Sequence, residues 1–195
     1  MPKQVTKTYT LFGIDELSEK AKAKAIDNLR TTMTADSYYS ELVTEDITEK
    51  IQGLGLPTTD IRWRHSSSQG DGLAIYGEIN FDEQKLVPVT AELKRIFEKE
   101  ELDMVIAKAG PHMYDHSKTM RVEIGNVSDD AEYKTALAFA ETLQDALEEK
   151  TTTLFRELVK SYDWYFEDAQ LVDEARANEY VFLDNGSLAN HLSDR

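Results

Sequence analysis

The sequence predicts an α+β fold in which an antiparallel sheet, built from two β-hairpins and a C-terminal strand, carries helices mainly on one face. Three observations lead there. Residues 61–81, IRWRHSSSQGDGLAIYGEINF, read as two strands around a polar, Gly-rich turn, and residues 103–124, DMVIAKAGPHMYDHSKTMRVEI, repeat that pattern. Apolar side chains recur every three to four residues before, between and after these stretches, which is the helical period. The resulting order, helix then hairpin twice over, favours antiparallel pairing of hairpins with the helices gathered on one side.

In chain order, residues 5–13 alternate apolar and polar side chains and predict a short edge strand or extended lead-in. Asp15 or Ser18 caps a first helix over 18–31, whose seam Ala21, Ala25, Leu29 and Met33, with Ile26 beside it, is made of small residues suited to close packing. Asp36 or Ser37 opens a second helix with the core stripe Tyr39, Val43, Ile47 and Ile51, and the two helices form a hairpin. Gly53 or Gly55 takes the left-handed position after it, and Pro57 prevents its resumption. Between the hairpins, residues 84–101 predict a helix with Leu86, Val89, Leu93, Ile96 and Phe97 on one face. Pro88 belongs in its first turn, with the regular part starting near 87.

After the second hairpin, Gly125-Asn126 is a stop and Ser128 caps the longest helix. Its stripe is Ala136, Ala140, Leu143, Leu147, Leu154, Leu158 and Tyr162, and it keeps register across Thr151–Thr153, so one helix with a possible bend is expected. A short helix over 167–177 follows, then a strand and an Asn185-Gly186 turn. No linker rich in Pro, Gly or Ser divides the chain, so residues 1–195 are expected to form a single domain.

Composition bounds the function. Hydrophobic content of 41% with 30% charged residues is that of a folded globular chain. No apolar run approaches the ~18 residues needed to span a bilayer, and the N-terminus has no apolar signal region. The absence of Cys excludes disulfides and thiolate chemistry, and cytoplasm is the expected compartment. The net charge of −15 is uneven: residues 129–195 hold 16 acidic against 6 basic residues. Such a field repels phosphates, which argues against direct nucleic-acid binding; it suits a partner with a basic surface, and plain solubility accounts for it as well. Glu141, Asp145, Glu148 and Glu149, on the outer side of the long helix, are the candidate partner-binding residues.

The candidate ligand-binding residues lie on the hairpins. Gln69-Gly70-Asp71-Gly72 places two glycines around an Asp, which permits positive φ and outward-facing backbone N–H groups that hold an anion; it is equally what a tight turn requires. Arg64, His65, His112, Tyr114 and His116 complete the set. His112, Tyr114 and His116 alternate, so in a strand they share a face, and pairing of the hairpins would bring His65 and Asp71 towards them. Three histidines and a carboxylate suffice for a metal-dependent enzyme, but the spacing matches no known ligand motif, and no metal or cofactor is assigned. Arg62, Arg64, Lys108, Lys118 and Arg121 either line a site for an anionic ligand or pair with neighbouring carboxylates, pairing being the expected role. Of the aromatic residues Tyr38, Tyr39, Tyr162, Trp164, Tyr165 and Phe166, most are expected in the core. No catalytic triad order, HExxH or dinucleotide fingerprint is present, so no catalytic residue is named.

Four stretches, FGIDELSEKAKAKAIDNLR, SSSQGDGLAIYGEI, HMYDHSKTMRVEI and SYDWYFEDAQLVDEARANEYVFLDNGSLAN, occur in an order that resembles a loosely defined family of small tailed-phage and prophage proteins. Leu73 after the Gly-Asp-Gly and Asp115 depart from that pattern, which usually has a small residue and often a Cys there. The resemblance implies a phage protein acting in the infected bacterial cytoplasm and carries over no catalytic residues. The expectation is an accessory protein that binds and inhibits a host factor, such as a nucleic-acid-directed defence component, through its acidic surface. A nucleotide-like ligand binder and a histidine-based metalloenzyme are the alternatives.

Overall fold

The computed structural model describes residues 7–66, 70–111, 114–125 and 127–193. It contains six α-helices among the described residues, α1 (Glu19–Thr34), α2 (Tyr38–Gly53), α3 (Ala91–Glu100), α4 (Asp130–Tyr165), α5 (Asp168–Ala177) and α6 (Asn190–Ser193). Four strands, β1 (Asp60–Arg64), β2 (Gly72–Glu78), β3 (Met104–Lys108) and β4 (Met120–Ile124), form one antiparallel sheet in the order β1-β2-β3-β4. The α+β class and both hairpins are as the sequence predicts. The hairpins join through a short ladder in which Gly77 opposes Ile106 and Glu78 opposes Val105. The chain divides into two compact units, one from residues up to 42 and from 161 onward, the other from 43–160; the divisions fall inside α2 and α4.

In the second unit, cross-strand neighbours place Ile61, Trp63, Leu73 and Ile75 on one sheet face. Leu73, Ile75, Met104, Ile106, Met120 and Val122 are buried, whereas Arg62, Arg64, Arg121 and Glu123 on the strands face solvent. Trp63 anchors β1 to α2 by donating its indole N–H to Thr44 Oγ1 at 2.8 Å. Of the predicted stripes, Val43, Ile47 and Ile51 of α2 and Ala136, Ala140, Leu143, Leu147, Leu154 and Leu158 of α4 are buried, while Tyr162, the last of the α4 stripe, is half-buried. Helix α4 runs unbroken through Thr151, whose hydroxyl donates to Leu147 O at 2.7 Å.

The other unit has its own core, centred on Ile26, Leu29, Met33, Phe166, Leu171 and Phe182. The small-residue seam of α1 receives the C-terminal turn. Gly186, at φ 80°, lies so close that a β-carbon there would fall 2.1 Å from Ala21 O, and Asn28 Nδ2 donates to Gly186 O at 3.3 Å.

Three expectations are corrected. The C-terminal strand does not join the sheet; among the described residues Phe182 makes isolated bridges to Phe12 and to Leu188, and of the two readings of residues 5–13 the described part takes the extended lead-in. Helix α3 starts at Ala91, not near 87. Pro88 disfavours helical geometry at Val87, the buried Gln84 amide holds the backbone of Leu86 and Val87, and Thr90 Oγ1 caps the helix by accepting from Leu93 N at 3.2 Å. The cap of α4 is Asp129, whose carboxylate accepts from the N–H groups of Ala131 and Glu132 at 2.9 and 3.0 Å. Ser128 donates instead to Glu100 through both its amide and hydroxyl, at 3.0 and 2.7 Å. Among the described residues, no helix is long and apolar enough to cross a membrane.

Candidate functional site

At one end of the sheet, the turn between β1 and β2 meets the segment that follows β3. A β-carbon on Gly70 would fall 2.3 Å from the Tyr114 ring, and one on Gly72 would fall 2.2 Å from His116 Cβ. Gly72 is not among the positive-φ glycines, so its requirement is room for a neighbour, not an outward-turned backbone. Of the two roles open to Gly-Asp-Gly, the contact at Gly72 is that of a closely packed turn. Asp71 is turned inward on its own loop, accepting from Ser66 N and Ser66 Oγ, each at 2.9 Å. His65 Nδ1 lies 3.9 Å from the same carboxylate. Gln69 and His112 lie outside the described residues.

His116 caps the short 3-10 turn before β4, its Nδ1 accepting from Lys118 N at 3.1 Å. Tyr114 is 42% exposed beside it. The structure thus brings Gly70 and Gly72 to Tyr114 and His116, and His65 to Asp71. Among the described residues, no three His, Cys, Asp or Glu side chains converge as a metal site requires.

Beneath this rim is a polar network that sequence reasoning did not select. Asp115 Oδ1 accepts from both Tyr76 Oη and Lys108 Nζ at 2.8 Å, and an Arg62 nitrogen lies 3.8 Å away. Burial opposes ionisation of Asp115, but the bonds from Lys108 and Tyr76 outweigh it and hold its pKa below the ordinary carboxylate value. Burial raises the Tyr76 hydroxyl, with the negative Asp115 adding to the effect. Arg62 also donates two bonds to Asp60, at 2.8 and 2.7 Å, and its guanidinium stands 5.3 Å from the Tyr76 ring centroid. The sequence signals for Asp115 were its position between Tyr114 and His116 near two hairpin cations and its departure from the phage-protein pattern. Of the five hairpin cations, Arg62 and Lys108 pair as expected, whereas Arg64, Lys118 and Arg121 have no ion pair among the described residues.

A second feature lies where α4 passes the outer edge of β4, the last strand of the sheet. Gln144 Oε1 accepts from Val122 N at 2.7 Å and its Nε2 donates to Met120 O at 3.1 Å, so the side-chain amide occupies the place of a neighbouring strand. Beside it is a groove of about 540 Å³ with Val122, Leu137 and Ala140 supplying apolar lining. Glu141, Asp145 and Glu148, spaced so that they share one helix face, line it, with Arg121 from β4. None of these carboxylates has an ion-pair partner among the described residues, although Glu148 accepts from Gln144 Nε2 at 2.7 Å. Glu149, the fourth predicted partner residue, is exposed but does not line the groove.

Residues 38–168 match the family model described as Domain of unknown function (DUF8835). The chain belongs to this family. No curated protein and no solved structure matches it. The DUF8835 match contains all four strands, the Asp115 network and the α4–β4 groove, so both candidate sites lie within the family's domain.

Proposed function

We propose that this DUF8835 protein acts by binding a basic segment of another protein in the groove between α4 and β4. The observation that carries the reading is the trio Glu141, Asp145 and Glu148 along an apolar-lined groove, none of them in an ion pair among the described residues and the three outnumbering the Arg121 cation on the same wall. Apolar lining supplies contact area, and the excess of carboxylates supplies steering and selection for Lys and Arg. The biological setting, a phage accessory protein that binds and inhibits a host factor in the infected bacterial cytoplasm, rests on the sequence resemblance and on the net charge of −15. A nucleic-acid-directed host protein fits because its own working surface is basic.

The deciding experiment is a pull-down from bacterial lysate at low and high salt, with the wild type beside a Glu141→Gln, Asp145→Asn, Glu148→Gln variant. A partner retained by the wild type at low salt, released by salt and absent from the folded variant, is the expected result. Equal retention by both proteins would overturn it.

A second reading has its own observation. Arg64, Tyr114 and His116 gather at the sheet end, and Arg64 has no ion-pair partner among the described residues. This supports a site for a small nucleotide-like anion. Ligand bound only by the folded state raises its melting temperature. A nucleotide panel should give such a shift in the wild type and a smaller one in Arg64→Ala; no shift at saturating nucleotide removes this reading.

A further inference from the structure

The unit formed by the two ends of the chain contains a pocket of about 410 Å³, at the small end of the roughly 300–1,000 Å³ range of ligand sites. Four aromatic rings line it in sequence around its wall. Tyr38 and Tyr39 meet at 5.2 Å and 78°, Tyr39 and Tyr165 at 5.1 Å and 50°, and Tyr165 and Trp164 at 5.1 Å and 72°. Successive rings are steeply inclined to one another, so the wall turns as a cage does and is not a flat stacking platform. Tyr39 is buried, but Tyr38 and Trp164 are 55% and 47% exposed. Both are large rings left open to solvent at the pocket, whereas Tyr39, Phe166, Tyr162 and Tyr165 belong to or pack against the core, as sequence spacing suggested for most of this cluster.

The remaining side is polar and comes from one row of α5 and its C-terminal cap. Gln170, Glu174 and Asn178 follow each other at four-residue intervals and so share a face. Glu174 accepts from Asn178 Nδ2 at 2.8 Å and has no ion-pair partner among the described residues. The nearby Arg176 is turned elsewhere, bonded to Asp15 and Asp173. Among the described residues, no Lys or Arg lines the pocket. Burial first, and then the neighbouring Glu174 carboxylate, push the pKa of the Tyr39 hydroxyl up to about 12.

We propose that this pocket binds an organic cation, an alkylated ammonium group. Ring faces carry negative quadrupole potential and attract a desolvated, apolar-coated cation, while Glu174 balances its charge. The same lining disfavours other ligands. An anion meets a carboxylate and four ring faces, and a hard metal ion needs six or more oxygen ligands where one carboxylate is offered. The cation is equally a free quaternary amine or a methylated lysine side chain, which present the same group.

Calorimetric titration of the full chain with choline, with its uncharged carbon isostere 3,3-dimethylbutan-1-ol, and with N-acetyl-trimethyllysine amide tests this. Saturable binding of choline with none of the isostere is expected. Tyr38→Ala and Glu174→Gln, at partly exposed positions, should each weaken choline binding by about five-fold or more while the melting temperature is retained. Tighter binding of the trimethyllysine amide than of choline assigns the site to a protein side chain; the reverse assigns it to a free amine. No choline binding, equal binding of the isostere, or wild-type affinity in both folded variants would overturn the proposal.

Discussion

Gly72 lies against His116 so closely that a β-carbon on the glycine would sit 2.2 Å from the histidine Cβ. This contact seats the segment before β4 on the start of β2 and brings Tyr114, Asp115 and His116 to one end of the sheet. Gly72→Ala is expected to destabilise the fold by about 1–3 kcal/mol, the usual range for overpacking a closed contact. It should also shift the His116 and Tyr114 NMR resonances. An unchanged denaturation midpoint would show that the segment moves off the strand without cost.

Gln144 performs for β4 what a fifth strand would, binding Val122 N and Met120 O together. Gln144→Leu keeps the bulk and leaves both backbone groups without that partner. A loss of about 1–3 kcal/mol in urea denaturation is expected. Because β4 is an edge strand, sedimentation velocity should also reveal concentration-dependent self-association absent from the wild type.

The start of α3 is set by Thr90. Thr90→Ala should lower stability by about 1 kcal/mol, the typical value of a Thr N-cap, whereas Val87→Ala, three residues earlier and outside the helix, should leave the helix content seen by circular dichroism unchanged. Equal loss of helix content in both would place the start further upstream.

Glu100 accepts both bonds from Ser128, and these, with Lys99, depress its pKa from 4.5 to about 2. Between those values the unfolded chain takes up a proton at this position that the folded chain does not. The contribution is therefore complete above about pH 4.5 and lost as pH falls towards 2. Glu100→Gln should flatten the acid limb of the stability curve within that window and leave its shape above it unchanged. An acid limb identical to wild type would exclude Glu100 as a contributor.

Much of the fold was legible because it depends on local periodicity. Buried positions in α1, α2 and α4 follow the apolar stripes, and β1 to β4 follow the two runs on either side of each turn, since amphipathic spacing directly encodes which side chains leave water. Local competition was harder to read. Ser128 and Asp129 are both good caps, and only the position of Glu100, 28 residues earlier, decides that the serine turns away. The C-terminal run reads as a strand, yet a strand needs a partner edge, and Phe182 finds only Phe12 and Leu188.

By itself the sequence determined the α+β class, the two hairpins, the continuous α4 and the acidic character of the chain, because propensity, hydrophobic period and net charge are properties of neighbouring residues or of their sum. Only the tertiary structure decided that Gly72 is needed for His116, that Asp115 draws together Lys108 and Tyr76, and that Glu174 faces a turning wall of four rings. Each of those relationships joins residues from different elements. Their distances depend on the path of the whole chain, so no local pattern could specify them.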